Sequence, residues 1–176
     1  MRGRRLCQQV KDWRSIDVKR LDRQLLKRVA REAAASTRGR KNHNFHALPD
    51  RVQRFVNVMG AQSYVRPHRH LRPAGADGFE FFLVLEGKIG VLLFDDEGHI
   101  SRYETAAAGG PVYGLELSEG LYHSVLSLTP QSTVFELKEG PYDQAGDKDF
   151  HPLFPEEGTE EAAKLLSDWR RLFAAG

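Results

Sequence analysis

Four side chains in the middle of the chain have the types and spacing of a metal site. His68 and His70 are one residue apart in YVRPHRH, Glu80 lies at the start of the apolar run FEFFLVLEG, and His123 follows the turn glycine in SEGLYHSV. Residues two apart on a strand point to the same face, so both imidazoles of the first stretch face one side. Three imidazoles and a carboxylate suit Fe, Mn, Ni, Cu or Zn and leave coordination positions open. We therefore predict one divalent transition metal ion bound by His68, His70, His123 and Glu80.

Two other polar stretches are candidates for contact with a ligand on that metal. In NHNFH, we expect Phe45 to anchor the segment on apolar surface while Asn44 and His46 close the barrel mouth and contact substrate. A neutral His46 beside a metal-bound water would be the candidate catalytic base. Arg66 shares a strand face with His68 and could pair with a glutamate or bind an anionic group. The alternative is that the NHNFH side chains only satisfy backbone groups in a linker.

Other residues of the same types have plainer interpretations. Glu80 could be an ordinary carboxylate at a strand start, and an isolated His-x-His pair is more often a surface feature than a ligand pair. We expect His99, in the turn DDEGHI, and His151, beside a proline, to be exposed and structural. Tyr122 should point outward and pack.

The elements that must position these residues are mainly strands. Between about residues 51 and 138, eight or so short β-rich runs are separated by turn clusters such as DDEGH and AAAGGP, which indicates a barrel or sandwich. We expect its core to contain Phe82, Val84, Leu92, Phe94, Val125 and Phe135. Apolar residues at every fourth position predict a helix over 15–35, capped by Ser15, and another helix is predicted over 159–173 with Thr159 as N-cap. The predicted organisation is a basic flexible tail (1–14), a helix and polar loop (15–48), a barrel (49–155) and a C-terminal helix (156–176).

Composition and charge exclude several classes of protein. The chain has 176 residues, its single cysteine cannot form an internal disulfide, and no apolar run approaches a membrane span or a secretory signal. We therefore expect a soluble, cytoplasmic protein. Residues 1–40 contain 13 Lys/Arg against 4 Asp/Glu, whereas residues 41–176 contain 13 against 20. A basic arm can bind nucleic acid, but this one lacks interleaved aromatics and a DNA-reading motif, so we expect it to dock on the acidic body.

The combined motifs carry a family resemblance. The His-x-His pair, the glutamate separated from Gly87 by six residues, and Gly120 three positions before His123 resemble the paired metal-binding motifs of the cupin superfamily. The stretches GRKNHNFH, YVRPHRH, VLLFDDEG, FELKEGPYD and DKDFHP are together similar to the WbuC family of cupin-fold metalloproteins. The resemblance implies a mainly β, double-stranded β-helix (jelly-roll-like) barrel, a bound metal and an association with O-antigen gene clusters. It implies no settled reaction. The chain departs from the general pattern in the nine residues between His70 and Glu80.

Two classes of function follow from these expectations. The first is a metal-dependent enzyme acting on a small polar molecule such as a sugar or sugar nucleotide, in which the ion is a Lewis acid or activates water or dioxygen. The second is a non-catalytic cupin that uses the same ion to bind or sense a ligand. Metal-free sugar epimerases of barrel type fit poorly because they do not need this ligand set. We expect a polar or anionic small-molecule ligand and no nucleic acid or membrane partner, and we leave open a homodimer.

Overall fold

Ten strands and two helices make up the part of the chain that the computed structural model describes, residues 18–72, 78–142 and 146–175. In chain order they are α1 (Arg23–Ala35), β1 (Arg40–Asn44), β2 (Val52–Gly60), β3 (His68–Arg69), β4 (Phe79–Glu86), β5 (Lys88–Phe94), β6 (Ile100–Ala107), β7 (Gly114–Ser118), β8 (Tyr122–Ser127), β9 (Gln131–Glu139), β10 (Asp149–Phe150) and α2 (Glu160–Ala175). None of the helices in these ranges is both long and apolar enough to cross a membrane. The tail predicted for residues 1–14 lies outside the described residues.

The strands form two antiparallel sheets of five strands each. One sheet has the order β1-β2-β9-β4-β7 and the other has the order β10-β3-β8-β5-β6. The prediction of a mainly β barrel with flanking helices is confirmed. The eight or so strands predicted over residues 51–138 correspond to β2–β9. The structure adds β1 before them and β10 after them.

Alternation along the strands produces the core between the sheets. In β4, for example, Glu80, Phe82 and Val84 are buried while the residues between them are only half-buried. The largest interior cluster is apolar and contains Met59, Val65, Phe82, Val84, Ile89, Val91, Ala106, Leu117, Val125 and Val134. This cluster fills one part of the barrel and leaves a different part to polar side chains.

The helices cover the outer faces of the two sheets. Leu25, Val29 and Ala33 of α1 pack on Val56 and Val58 of β2, and Ala162, Leu166 and Trp169 of α2 pack on Leu92, Phe94 and Leu126. The helix predicted over 15–35 is not present at the described residues 18–22, and α1 begins at Arg23, because the Asp22 carboxylate accepts a hydrogen bond from the backbone N–H of Leu25 and caps the first turn. The predicted cap Ser15 lies outside the described residues. Thr159 caps α2 as predicted, accepting from Ala162 N–H at 3.2 Å.

Two sequence predictions about the barrel need correction. Residues 40–44, predicted as a polar loop, form β1, because five consecutive residues pair with β2 at the edge of the sheet. All six predicted core residues except Phe135 are buried, but they are divided among three clusters. Phe82, Val84 and Val125 lie inside the barrel, Leu92 and Phe94 lie beneath α2, and the half-buried Phe135 packs in the α1 cluster.

Candidate metal centre

Three histidine side chains converge inside the barrel. His68 of β3 is directly paired with His123 of β8, and His70 follows β3 by one residue. Each is at most 7% exposed, and one ligand-type nitrogen from each ring lies within 4.8 Å of the others. Residue pairing across antiparallel strands therefore brings together imidazoles separated by more than 50 positions in the sequence.

Backbone carbonyls set the protonation of all three rings. Nδ1 of His68 lies 2.9 Å from the Arg66 carbonyl, Nδ1 of His123 lies 2.9 Å from the Leu121 carbonyl, and Nδ1 of His70 contacts the Asp147 carbonyl. A carbonyl oxygen only accepts, so each Nδ1 holds the proton. In the neutral rings each Nε2 then carries a lone pair, which is the form that binds a metal ion.

The carboxylate of Glu80 reaches the same point from the facing sheet. One of its oxygens, Oε2, lies 2.9 Å from Nε2 of His123 and 3.3 Å from Nε2 of His70. Within the described ranges, this oxygen and Nε2 of His70 are buried and lack a hydrogen bond. Lone pairs facing one another at these distances repel unless a cation lies among them. The donor set and its orphaned atoms therefore fit a divalent transition metal ion.

The electrostatics of the cluster also favour the metal-binding protonation states. Burial lowers the pKa of His68 well below its ordinary 6.5, and the nearby charge of Lys148 acts in the same direction. Burial alone would raise the pKa of Glu80, but the adjacent His123 and His70 lower it well below its ordinary range. Near neutral pH the site thus has a neutral imidazole at His68 and an ionised carboxylate.

A buried ion pair supports one of the histidines. Lys138 Nζ donates to the Asp147 carboxylate at 2.8 Å, and Gln53 donates to the other oxygen of that carboxylate at 3.2 Å. Both members of the pair are about 4% exposed, and the carbonyl of Asp147 is the one that holds His70. Our sequence prediction missed this support, although Asp147 begins DKDFHP, one of the stretches that carry the family resemblance.

A second buried carboxyl group lies beside the cluster. Glu136 of β9 is 5% exposed and accepts a hydrogen bond from Asn57 Nδ2 at 2.8 Å. Burial, followed by the negative charge of Glu80, raises the pKa of Glu136 to about 7.

Replacing Glu136 with glutamine should remove a pH dependence of stability. In the unfolded chain this carboxyl group ionises near 4.5 and in the folded protein near 7, so the wild type loses stability as the pH rises through this window. We expect the stability advantage of metal-free Glu136→Gln over the wild type to be about 2 kcal/mol larger at pH 8 than at pH 5. Urea unfolding of both proteins at the two pH values measures this difference in the free energy of unfolding. The same difference at pH 5 and pH 8 would contradict a raised pKa at Glu136.

A cleft connects the cluster with the surface. Its enclosed volume is only about 10 Å³, which is room for about one water molecule. Its lining includes three predicted ligands, His70, Glu80 and His123, and the apolar side chains of Phe79, Leu117 and Leu121. His68 is outside this lining and so lies on the far side of the cluster.

The predicted ligand-contacting residues have distinct surroundings. Phe45 packs with the α1 cluster, as predicted, 5.9 Å from the ring of Phe135. Asn44 is exposed at the end of β1, and His46 directs Nδ1 at the backbone of Arg54, which donates its N–H at 2.9 Å. The same Nδ1 also lies 3.0 Å from the carbonyl oxygen of Arg54. The roles of Asn44 and His46 at the metal stay predictions.

Arg66 lies close to the cluster but outside it. Its guanidinium stacks 5.2 Å over the ring of Phe150, and that ring lies 6.0 Å from the ring of His68. The Nε of Arg66 is buried and has no partner in the described part of the chain, and the approach to Glu156 is 4.0 Å. Binding of an anion by Arg66 stays a prediction, while its carbonyl has the added role of holding His68.

The remaining histidines have structural positions. His99 is exposed, as predicted, and its backbone and ring contact Asp95 in the turn. The prediction that His151 is exposed is wrong, since it is fully buried and its Nε2 lies 3.1 Å from the Asp95 carbonyl. The reason is that the chain after β10 packs back on the barrel, where His151 contacts the ring of the outward-facing Tyr122.

Comparison with solved structures identifies the architecture. The capsular polysaccharide assembling protein CapF from Staphylococcus aureus is similar with a TM-score of 0.52 and 19% identity, over 62% of this chain and 29% of CapF. The chain has the cupin fold. Further similar structures are KdgF from Halomonas sp. (TM-score 0.46, 17% identity, 60% of this chain and 82% of KdgF) and a cupin superfamily protein from Desulfitobacterium hafniense (0.44, 13%, 57% and 76%).

Sequence comparisons add one match that is not to a solved structure. A family model described as a domain of unknown function (DUF6016) matches residues 21–105, which include α1, the His-x-His pair and Glu80. A search of curated proteins found no match. Since the chain matches less than a third of CapF at low identity, that likeness concerns the fold alone.

Proposed function

We propose that this cupin is a metal-dependent enzyme that acts on a small polar or anionic molecule. The observation that carries the proposal is the fixed tautomer of three buried imidazoles, whose Nε2 atoms converge with Glu80 Oε2. His68, His70, His123 and Glu80 would hold the ion. A bound ion would supply Lewis-acid polarisation of a ligand oxygen or an activated water.

Residues of this chain would do the rest of the work. Backbone carbonyls orient the imidazoles before any ion binds, so the geometry of the metal-binding side chains is preorganised. The cleft beside His70 and His123 leads from the surface to the ligand atoms, and it would have to widen for a ligand larger than a water molecule. Its apolar side chains would limit the access of bulk water to the ion. Arg66, whose Nε is buried and has no partner in the described part of the chain, would attract negative charge toward the His68 side of the cluster.

A sugar or sugar nucleotide is the substrate class we propose, in the synthesis of a surface polysaccharide such as O-antigen. The support is the WbuC-like motif set of the sequence together with the fold shared with a part of CapF, a protein described as assembling capsular polysaccharide. Sensing or binding without catalysis is the competing proposal, because the same four ligands would serve both.

Metal analysis of untagged protein, followed by ligand screening, tests the proposal. We expect about one transition metal ion per chain and a rise in unfolding temperature when a sugar nucleotide or sugar acid binds the metal-loaded form. Turnover of a stabilising compound would favour the enzyme over the sensor. Protein that takes up no transition metal at micromolar concentration would overturn both.

A further inference from the structure

A line of polar side chains crosses the inner face of one sheet from its open edge to the metal centre. Strand pairing places Asn42 opposite Asn57, and Asn57 opposite Val134, a residue of the interior cluster. Glu136 lies two residues beyond Val134 on the same face. The polar stripe, as we call it, consists of Asn42, Asn57, Glu136 and Glu80.

The stripe changes from exposed to buried as it approaches the cluster. Asn42 on the edge strand is exposed, Asn57 is half-buried, and Glu136 and Glu80 are 5% and 6% exposed. The exposure of these side chains to water therefore falls steadily from the β1 edge toward the histidines.

In the stripe, a polar atom of Asn57 is buried and has no hydrogen-bond partner among the described residues. Asn57 Nδ2 donates to Glu136, but Asn57 Oδ1 is buried and lacks a donor within the described ranges. The neighbours on the inner face are apolar, since Glu136 is paired across the sheet with Phe82 and follows Val134. An amide oxygen buried without a donor costs free energy that a purely structural pair would not require.

Basic groups lie around the same space. Lys138, the next inward residue of β9, is opposite Glu80 and is bound by Asp147. Lys148 precedes β10 and shares a strand face with Phe150, which is paired with His68. Burial and the charge of Lys138 lower the pKa of Lys148, as expected of two cations close together. A negatively charged ligand would relieve that repulsion.

We propose that Asn57 and Glu136 form a subsite for a hydroxyl group of the metal-bound ligand, and that this ligand is a hydroxylated acid such as a sugar acid. In this arrangement the carboxylate and its 2-hydroxyl approach the ion, a hydroxyl farther along the carbon chain donates to Asn57 Oδ1, and Glu136 hydrogen-bonds that same hydroxyl. The inference rests on the proposed function, since the ion provides the other anchor.

Matched pairs of acids that differ in hydroxyl groups test the subsite. Glycerate and lactate share a 2-hydroxy acid and three carbons, while only glycerate has a second hydroxyl; threonate and 2-hydroxybutyrate extend the comparison to four carbons. By calorimetry on cobalt-loaded wild type, we expect at least one of the more hydroxylated acids to bind about tenfold more tightly than its partner. In Asn57→Leu and Glu136→Leu the preference should vanish while lactate affinity is kept.

Controls separate this outcome from a loss of fold or of metal. Ser127→Ala alters a buried hydroxyl that bonds Ser132 away from the cluster, and it should keep the preference. If Glu136→Leu does not fold, Asn57→Ala and Glu136→Ala carry the test, with metal content measured for each variant. The subsite alone is overturned if the wild type binds cobalt but binds none of the acids, or binds the more hydroxylated acids no more tightly than their partners. It is also overturned if the preference for the more hydroxylated acid survives in both the Asn57 and the Glu136 variants. A wild type that binds no metal overturns the proposed function instead.

Discussion

Replacing His123 with alanine should reduce the metal content of the purified protein from about one ion per chain to almost none. The substitution removes one of three preorganised imidazole nitrogens and leaves Glu80 Oε2 without its closest neighbour at 2.9 Å. Because losing an outer-shell partner alone costs 10- to 100-fold in affinity, we expect a loss of roughly 100-fold or more. Elemental analysis of untagged protein and competition with a coloured chelator measure both quantities.

The control for this variant is another histidine of the same barrel. His99 is exposed in the turn between β5 and β6, with a side chain that is 79% accessible, so His99→Ala should retain full metal content. Equal metal content in the two variants would contradict the assignment of His123. The same measurement on Glu80→Ala decides whether the carboxylate is the fourth ligand, for which we expect a partial loss.

Replacing Asp147 with alanine should destabilise the metal-free protein by about 3–5 kcal/mol. The change leaves Lys138 buried without its 2.8 Å partner, and it also removes the acceptor for Gln53. The expected loss of stability is large because Lys138 is buried, whereas water would hydrate an exposed ammonium group that had lost its partner. Urea denaturation at pH 7 measures the change in the free energy of unfolding.

An exposed ion pair provides the matched comparison for Asp147. Glu104→Ala breaks a pair with Arg102 whose side chains are 38% and 68% accessible, and it should cost no more than about 1 kcal/mol. The double variant Lys138→Met/Asp147→Leu should recover part of the loss, because it removes the unpaired charge. A single variant Asp147→Ala as stable as Glu104→Ala would show that Lys138 finds another partner or reaches water.

The polar interior was the hardest part of this molecule to predict. Glu136 and Lys138 lie in an ordinary-looking strand, STVFELKEG, whose alternation indicates a buried face without indicating what that face contacts. Their positions depend on pairing with β2 and β4, which are distant in sequence. For the same reason His151 was assigned to the surface, since no local pattern reveals that the chain after β10 packs back on β5 and β8.

The sequence by itself determined the elements and the chemical type of the site. Period-two alternation with turn clusters determined that the fold is mainly β. Apolar residues three or four positions apart determined two flanking helices, and the spacing of His68, His70, Glu80 and His123 determined a metal-type donor set. These are local properties, because side-chain direction along a strand or helix follows from backbone geometry alone. Tertiary structure alone decided which carbonyls fix the imidazole tautomers, that residues 40–44 are an edge strand, and that Asn57 and Glu136 adjoin the cluster. Each of these depends on the register between distant strands, and register results from how the whole barrel buries its apolar faces.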